Sequence, residues 1–139
     1  MAIKMRVLYA SSKSKIATMA NLIKQEYDLA INAVDKIPPA YSCNNERLVI
    51  LMLSLKGEPE DQLRLFCQEL TKARAQNVAL VINGPEAAAA RMKQILTKAG
   101  TNVADEVHYV KTSLFSSKVT PEEKDALLAY THRVVDGLQ

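Results

Sequence analysis

Two lysines stand where a helix is due to begin. Ala10-Ser11-Ser12-Lys13-Ser14-Lys15 leads out of an apolar run and straight into a helical pattern. Hydroxyls and backbone N–H groups at a helix N-terminus form an anion site. A cation at that end opposes the helix dipole by about 0.3–1 kcal/mol each, and a bound phosphate would reverse the sign. Local sequence rules tend to be broken at functional sites. The plain alternative is a solvated turn in which Ser12 or Ser14 caps the helix.

Two further segments invite attention, Leu55-Lys56-Gly57-Glu58 and Asn83-Gly84-Pro85-Glu86. Gly57 and Gly84 each suit an ordinary turn. Other chemistry is poorly supplied. Cys43 and Cys67 form no C-x-x-C, and with only His108 and His132 there is no zinc-ligand spacing. Cys67 falls on the apolar side of a helical pattern and reads as core. Cys43 lies in a loop, where a reactive thiol competes with a structural one. Neither histidine has a carboxylate at a meaningful spacing. The dinucleotide-binding G-x-G-x-x-G, the P-loop and the hydrolase G-x-S-x-G are all absent.

These loops are held by elements whose apolar period alternates between strand and helix. Ile3 to Ala10 reads as a strand, and Lys15 to Tyr27 as an amphipathic helix through Ile16, Met19, Ala20, Ile23 and Tyr27. Ala30 to Val34 reads as a weak second strand, and Pro38-Pro39 then forbids a helix. Arg47 to Leu55 (RLVILMLSL) is apolar without alternation, the pattern of a strand buried on both faces. Pro59 to Ala75 is helical, Val78 to Ile82 a strand, and Glu86 to Ala99 a helix with Gly100 placed to cap it. Val107 to Lys111 reads as a fifth strand. Thr120-Pro121-Glu122-Glu123 is a capping box that starts a last helix running to about Asp136.

Strands alternating with helices imply a parallel sheet covered on both faces. Five strands point to the doubly wound order 2-1-3-4-5, in which ligands bind beyond the carboxyl ends of the strands, at the switch between strands 1 and 3. The loops to examine are then Ser11–Lys15, Leu55–Glu58, Asn83–Glu86 and Lys111–Lys118. A response-regulator receiver would need acids after strand 1 and an Asp ending strand 3. The residues there are Ser11-Ser12 and Leu53-Ser54. A carrier or phosphatase with Cys in the loop after strand 1 is excluded in the same way.

Composition is consistent with this. The chain has 139 residues, 48% hydrophobic and 24% charged, which suits one globular domain spanning 1–139. The net charge of +3 is spread along the chain without a basic run, so nucleic-acid binding is not expected. The longest apolar run, Leu48 to Leu53, is far short of the roughly 20 residues of a membrane span. No signal peptide is visible, and a cytoplasmic protein with free thiols is the expectation.

Val7-Leu8-Tyr9-Ala10-Ser11-Ser12-Lys13-Ser14-Lys15-Ile16, followed by Ala20 and Ile23, resembles the phosphate-loop signature of the flavodoxins. The agreement lies at Val7, Leu8, Tyr9, Ser11, Ala20 and Ile23. The chain departs at Ser14, where the family has Gly, Ala or Cys, and at Ile16, where it has a phosphate-binding Thr. The resemblance implies a flavodoxin-like fold carrying a noncovalent flavin mononucleotide (FMN) that shuttles electrons to a redox partner protein. Its phosphate would rest on Ser11, Ser12, Lys13, Ser14 and Lys15. Its ring would lie between Leu55-Lys56-Gly57 and Asn83-Gly84-Pro85.

Flavodoxins usually stack that ring on aromatic side chains and are strongly acidic. These two loops contain no aromatic residue, the chain has no Trp, and it is basic. Tyr109 and Phe115 are the nearest substitutes. Lys56 beside such a ring would favour the anionic reduced flavin and raise its potential. The alternative is a flavin-free binding or regulatory module that keeps an anion-binding loop after strand 1.

Overall fold

Six strands, all parallel, form one sheet in the computed structural model, which describes residues 3–113 and 116–138. The elements are β1 (Met5–Ala10), α1 (Ser14–Glu26), β2 (Val34–Lys36), β3 (Leu48–Ser54), α2 (Asp61–Gln68), β4 (Asn77–Asn83), α3 (Glu86–Ala99), β5 (Asn102–Val103), β6 (His108–Tyr109) and α4 (Pro121–Asp136). The strand order is β2-β1-β3-β4-β5, with β6 also paired to β4. This is the expected flavodoxin-like order, with β1 and β3 side by side where it reverses.

The continuous apolar run of β3 is buried on both faces, as its lack of alternation predicts. Leu48, Ile50 and Met52 join Ile16, Met19, Ala20 and Ile23 of α1 and Leu127 and Tyr130 of α4 in one core. Val49, Leu51 and Leu53 join Leu63 and Cys67 of α2 and Ala88, Ala89, Met92, Ile95 and Leu96 of α3 in the other. Full burial of one such aliphatic side chain contributes about 1.5–3 kcal/mol. Among the described residues, no helix is long and apolar enough to cross a membrane.

Three elements differ from the sequence-based expectation. The second strand is Val34–Lys36, not Ala30–Val34. Residues Ile31–Ala33 form a 3-10 turn that leaves Ile31 exposed. Helix α2 stops at Gln68 instead of reaching Ala75. The carbonyls of Ala73 and Arg74 are taken by the amides of Asn45 and Glu46, which pulls that backbone out of helical pairing. The fifth strand is divided. Asn77 pairs with Asn102, an offset of 25, but Val81 pairs with His108, an offset of 27.

Two extra residues are therefore absorbed between Val103 and His108. Tyr130 repairs the break from below, donating to the carbonyls of Glu106 at 2.8 Å and Leu80 at 3.2 Å. The crossover from β2 to β3, residues 37–47, contains no helix, consistent with Pro38-Pro39. It runs as a strap over β1, with Ile37 and Cys43 against the α2/α3 core.

The capping box of α4 forms as expected. The Thr120 hydroxyl accepts from the Glu123 amide at 3.1 Å, and the Glu123 carboxylate accepts from the Thr120 amide at 3.0 Å. Gly100 ends α3 at φ 113°, a left-handed conformation in which glycine is unstrained.

Candidate functional site

Parallel strands deliver their carboxyl ends, and the N-termini of the following helices, to one edge. A cleft of about 900 Å³ opens there, beside the β1–β3 junction. Ser11, Ser12, Lys13, Leu55, Lys56, Asn83 and Gly84 of the predicted set line it. Ser14 and Lys15 line a smaller, polar cleft of about 350 Å³ on the other side of the loop, with Ser113, Ser116 and Ser117. Gly57 and Pro85 border neither cleft. Gly57 is exposed with open space around it, and Pro85 caps α3.

The floor of the edge is a chain of polar side chains at successive strand ends. The Asn83 amide donates to Ser54 Oγ at 3.1 Å and to Thr112 Oγ1 at 2.9 Å. Ser54 Oγ meets Ser11 Oγ at 2.6 Å, and Ser11 Oγ also accepts from the Lys13 amide at 3.1 Å. Whichever serine donates to the other, one hydroxyl proton of the pair has no acceptor among the hydrogen bonds of the described residues. Both serines face the cleft, so that proton is available to a ligand.

The two expected ring loops touch at their base. The Leu55 amide donates to the Asn83 carbonyl at 3.0 Å. A Cβ at position 84 would lie 2.3 Å from the Leu55 carbonyl oxygen, so glycine is required there by close approach. Ile37, Leu55 and Leu63 form an apolar part of the cleft wall beside this junction.

The phosphate loop is only partly open. Lys13 is the N-cap of α1 and makes no side-chain capping bond, while the Ile16 amide donates to the Lys13 carbonyl at 3.1 Å. The plain alternative, a cap by Ser12 or Ser14, does not form. Lys15 lies within the first turn, buried, and its ammonium is bound to Glu123 of α4. That contact, with the Thr120 amide, holds the Glu123 carboxyl below its usual range. Ile16 is fully buried among Met19 and Ile23, so it offers the loop nothing.

No protein-family model matches the chain, and no curated protein matches it. The meaning of the edge rests on its own chemistry.

Glu58, at the end of the expected Leu55–Glu58 loop, also lines the cleft, and residues not singled out from sequence complete it: Ile37 from the strap, Ser54, and Glu60, Gln62 and Leu63 around the start of α2. Ser54 did carry a signal, as the one polar residue ending an apolar strand. Glu58 is held by Arg91 at 3.0 Å, which draws its charge towards α3. Of the aromatic substitutes, Tyr109 is exposed on β6 and does not line the cleft, while Phe115 lies outside the described residues.

Both cysteines are buried and unpaired. Burial pushes the Cys67 thiol up to about 12 and raises that of Cys43. His108 stacks on Tyr130, with ring centres 5.2 Å apart, and burial lowers its pKa. His132 bridges Tyr27 at 2.8 Å and Glu26 at 2.7 Å, near the C-terminus of α1 and away from the cleft. Among the described residues, no three His, Cys, Asp or Glu side chains are grouped to hold a metal ion.

Proposed function

We propose that this chain binds FMN at the carboxyl edge between β1 and β3 and serves as a flavodoxin-like electron-transfer protein. What carries the reading is the meeting, in one cleft of about 900 Å³, of Lys13 at the N-cap of α1, the Ser11–Ser54 hydroxyl pair and an apolar wall. Ligand clefts of roughly 300–1,000 Å³ suit a molecule of this size. When bound, the flavin supplies the electron chemistry, and the protein supplies position and electrostatics.

The uncapped amides at the start of α1, with Lys13, would hold the phosphate. Ser11 or Ser54 would donate its hydroxyl proton into the cleft. Ile37, Leu55 and Leu63 would exclude water from one side of the ring, in place of the aromatic stackers. Such a carrier needs a redox partner protein docking at this exposed edge. Buried, unpaired thiols suit a cytoplasmic setting.

A second reading is a flavin-free module that binds a different anion at the same loop. The pairing of Lys15 with Glu123 and the absence of any aromatic residue among those lining the cleft favour it. A visible absorption spectrum before and after loading with FMN and washing separates the two. A retained flavin band with quenched fluorescence supports electron transfer. A protein that stays colourless rejects it and leaves the flavin-free module. Lys13→Glu should abolish retention without unfolding the chain. Unchanged retention would remove the loop from the site.

A further inference from the structure

A line of hydrogen bonds crosses the floor of the larger cleft, from the start of α1 to the end of β4. The Lys13 amide donates to Ser11 Oγ at 3.1 Å, and Ser11 Oγ lies 2.6 Å from Ser54 Oγ. At the far end the Asn83 side-chain amide donates to Ser54 Oγ at 3.1 Å, and its other proton goes to Thr112 Oγ1 at 2.9 Å. Both ends of the line therefore donate inward. A hydroxyl carries one proton and two acceptor positions, and each serine already accepts one bond from its end of the line. Only one of the two hydroxyl protons fits between the serines. The other leaves the line, and both serines line the cleft.

The flavodoxin resemblance expects Ser11 on a phosphate. Its oxygen is tied instead to the Lys13 amide and to the end of β3. The serine pair stands midway between two parts of the cleft. Lys13 borders it on one side. On the other, Leu55 follows Ser54 and donates to the Asn83 carbonyl at 3.0 Å, which joins the two loops. A ligand with its anion at Lys13 and its ring beside Leu55 lays its connecting chain over the pair.

We propose that Ser11 and Ser54 together form one hydrogen-bond donor that selects a ligand whose connecting chain carries hydroxyl groups. This rests on the FMN reading and deepens it: Ser11 serves the ribityl chain, not the phosphate. The spare proton goes to a hydroxyl oxygen of that chain. A plain alkyl chain would cover the proton and leave it unpaired, and sites built to bond a hydroxyl reject analogues lacking it for this reason. The two serines are interchangeable. Removing either one takes away a proton together with the internal acceptor of its partner, so the remaining serine still has one proton to offer.

The test titrates the full chain with FMN and with an analogue whose ring and phosphate are joined by an unsubstituted pentyl chain. Quenching of flavin fluorescence gives both affinities, and thermal midpoints confirm that each variant is folded. The unaltered chain should bind FMN about threefold to tenfold more tightly than the pentyl analogue. Ser11→Ala and Ser54→Ala should each keep that preference, and the double variant should bind the two flavins equally. A double variant that still prefers FMN overturns the proposal. So does loss of the preference in one single variant alone, which would leave the donor with that serine. Binding of both flavins by the unaltered chain without preference removes this inference and leaves the FMN reading standing. Binding of neither removes the FMN reading and the inference with it.

Discussion

The ammonium of Lys15 is bound to the carboxylate of Glu123, which fastens the first turn of α1 to the first turn of α4 across 108 residues of chain. The side chain of Lys15 is 11% exposed and that of Glu123 is 30% exposed, so the pair is partly shielded from solvent. The two lysines of the loop therefore have different tasks. Lys15 holds two helices together, and Lys13 is the one that borders the main cleft.

This division separates two variants. Lys15→Met should cost about 1–2 kcal/mol of stability, between an exposed and a buried pair, with little change in FMN or phosphate affinity. Lys13→Met should leave stability within about 0.5 kcal/mol and weaken anion binding roughly threefold or more. Urea denaturation and a fluorescence titration of each variant measure both quantities. The reverse pattern would show that Lys15 leaves Glu123 for the ligand.

Stability should fall in two stages as the solution is acidified. His108 is held neutral by burial, so its folded pKa lies below 6.5 and the unfolded chain binds more protons just beneath that pH. Stability is lost as pH drops from about 6.5. Glu123 and Asp35 have depressed folded pKa values, held by Lys15 and by the Ala40 amide. Their contribution is complete above pH 4.5 and is lost as pH falls through the folded values. Thermal midpoints measured from pH 8 to pH 3 should show both stages, and His108→Gln should remove the upper one. An upper stage that survives in this variant would assign it to another group.

The junction of the ring loops can be probed with a pair of alanines. Gly84→Ala places a Cβ 2.3 Å from the Leu55 carbonyl oxygen, which is backbone and must move. It should cost about 1–3 kcal/mol and disturb any ligand in the cleft. Gly57→Ala meets nothing within 4 Å and should be close to neutral. Equal stability of the two variants in denaturant would mean that the loops are free to part.

The Tyr130 hydroxyl bridges Leu80 and Glu106 within the fold. Tyr130→Phe keeps the ring and removes the bridge, at a cost of about 1–3 kcal/mol. Amide exchange should quicken at residues 104–107 and stay unchanged in β3. Uniform quickening across the sheet would place the effect on global stability instead.

The sheet was legible because it follows from periodicity. The unbroken apolar run of β3 and the helical spacing of Ile16, Met19, Ala20 and Ile23 leave few other arrangements. The cleft was legible in part, because topology alone sends Ser11, Leu55 and Asn83 to one edge. The partner of Lys15 was not, since a contact between residues 15 and 123 leaves no local trace. The broken fifth strand was missed for a related reason. Val107 to Lys111 reads as one short strand, and only the pairing of Asn102-Val103 with the same β4 shows that two residues are extra. The strap was correctly read as lacking a helix, but nothing in its composition shows that its Tyr41 carbonyl accepts from the buried guanidinium of Arg6.

The two-residue excursion between Val103 and His108 uncouples chain length from strand register at one point of the sheet. Both flanking segments pair with β4 independently, and Asp105 between them is exposed. Additional residues inserted between Ala104 and Asp105 would lengthen the excursion without shifting either flank. A reporter peptide grafted there would be carried on the rim of the sheet, beyond the far side of β4 from the cleft.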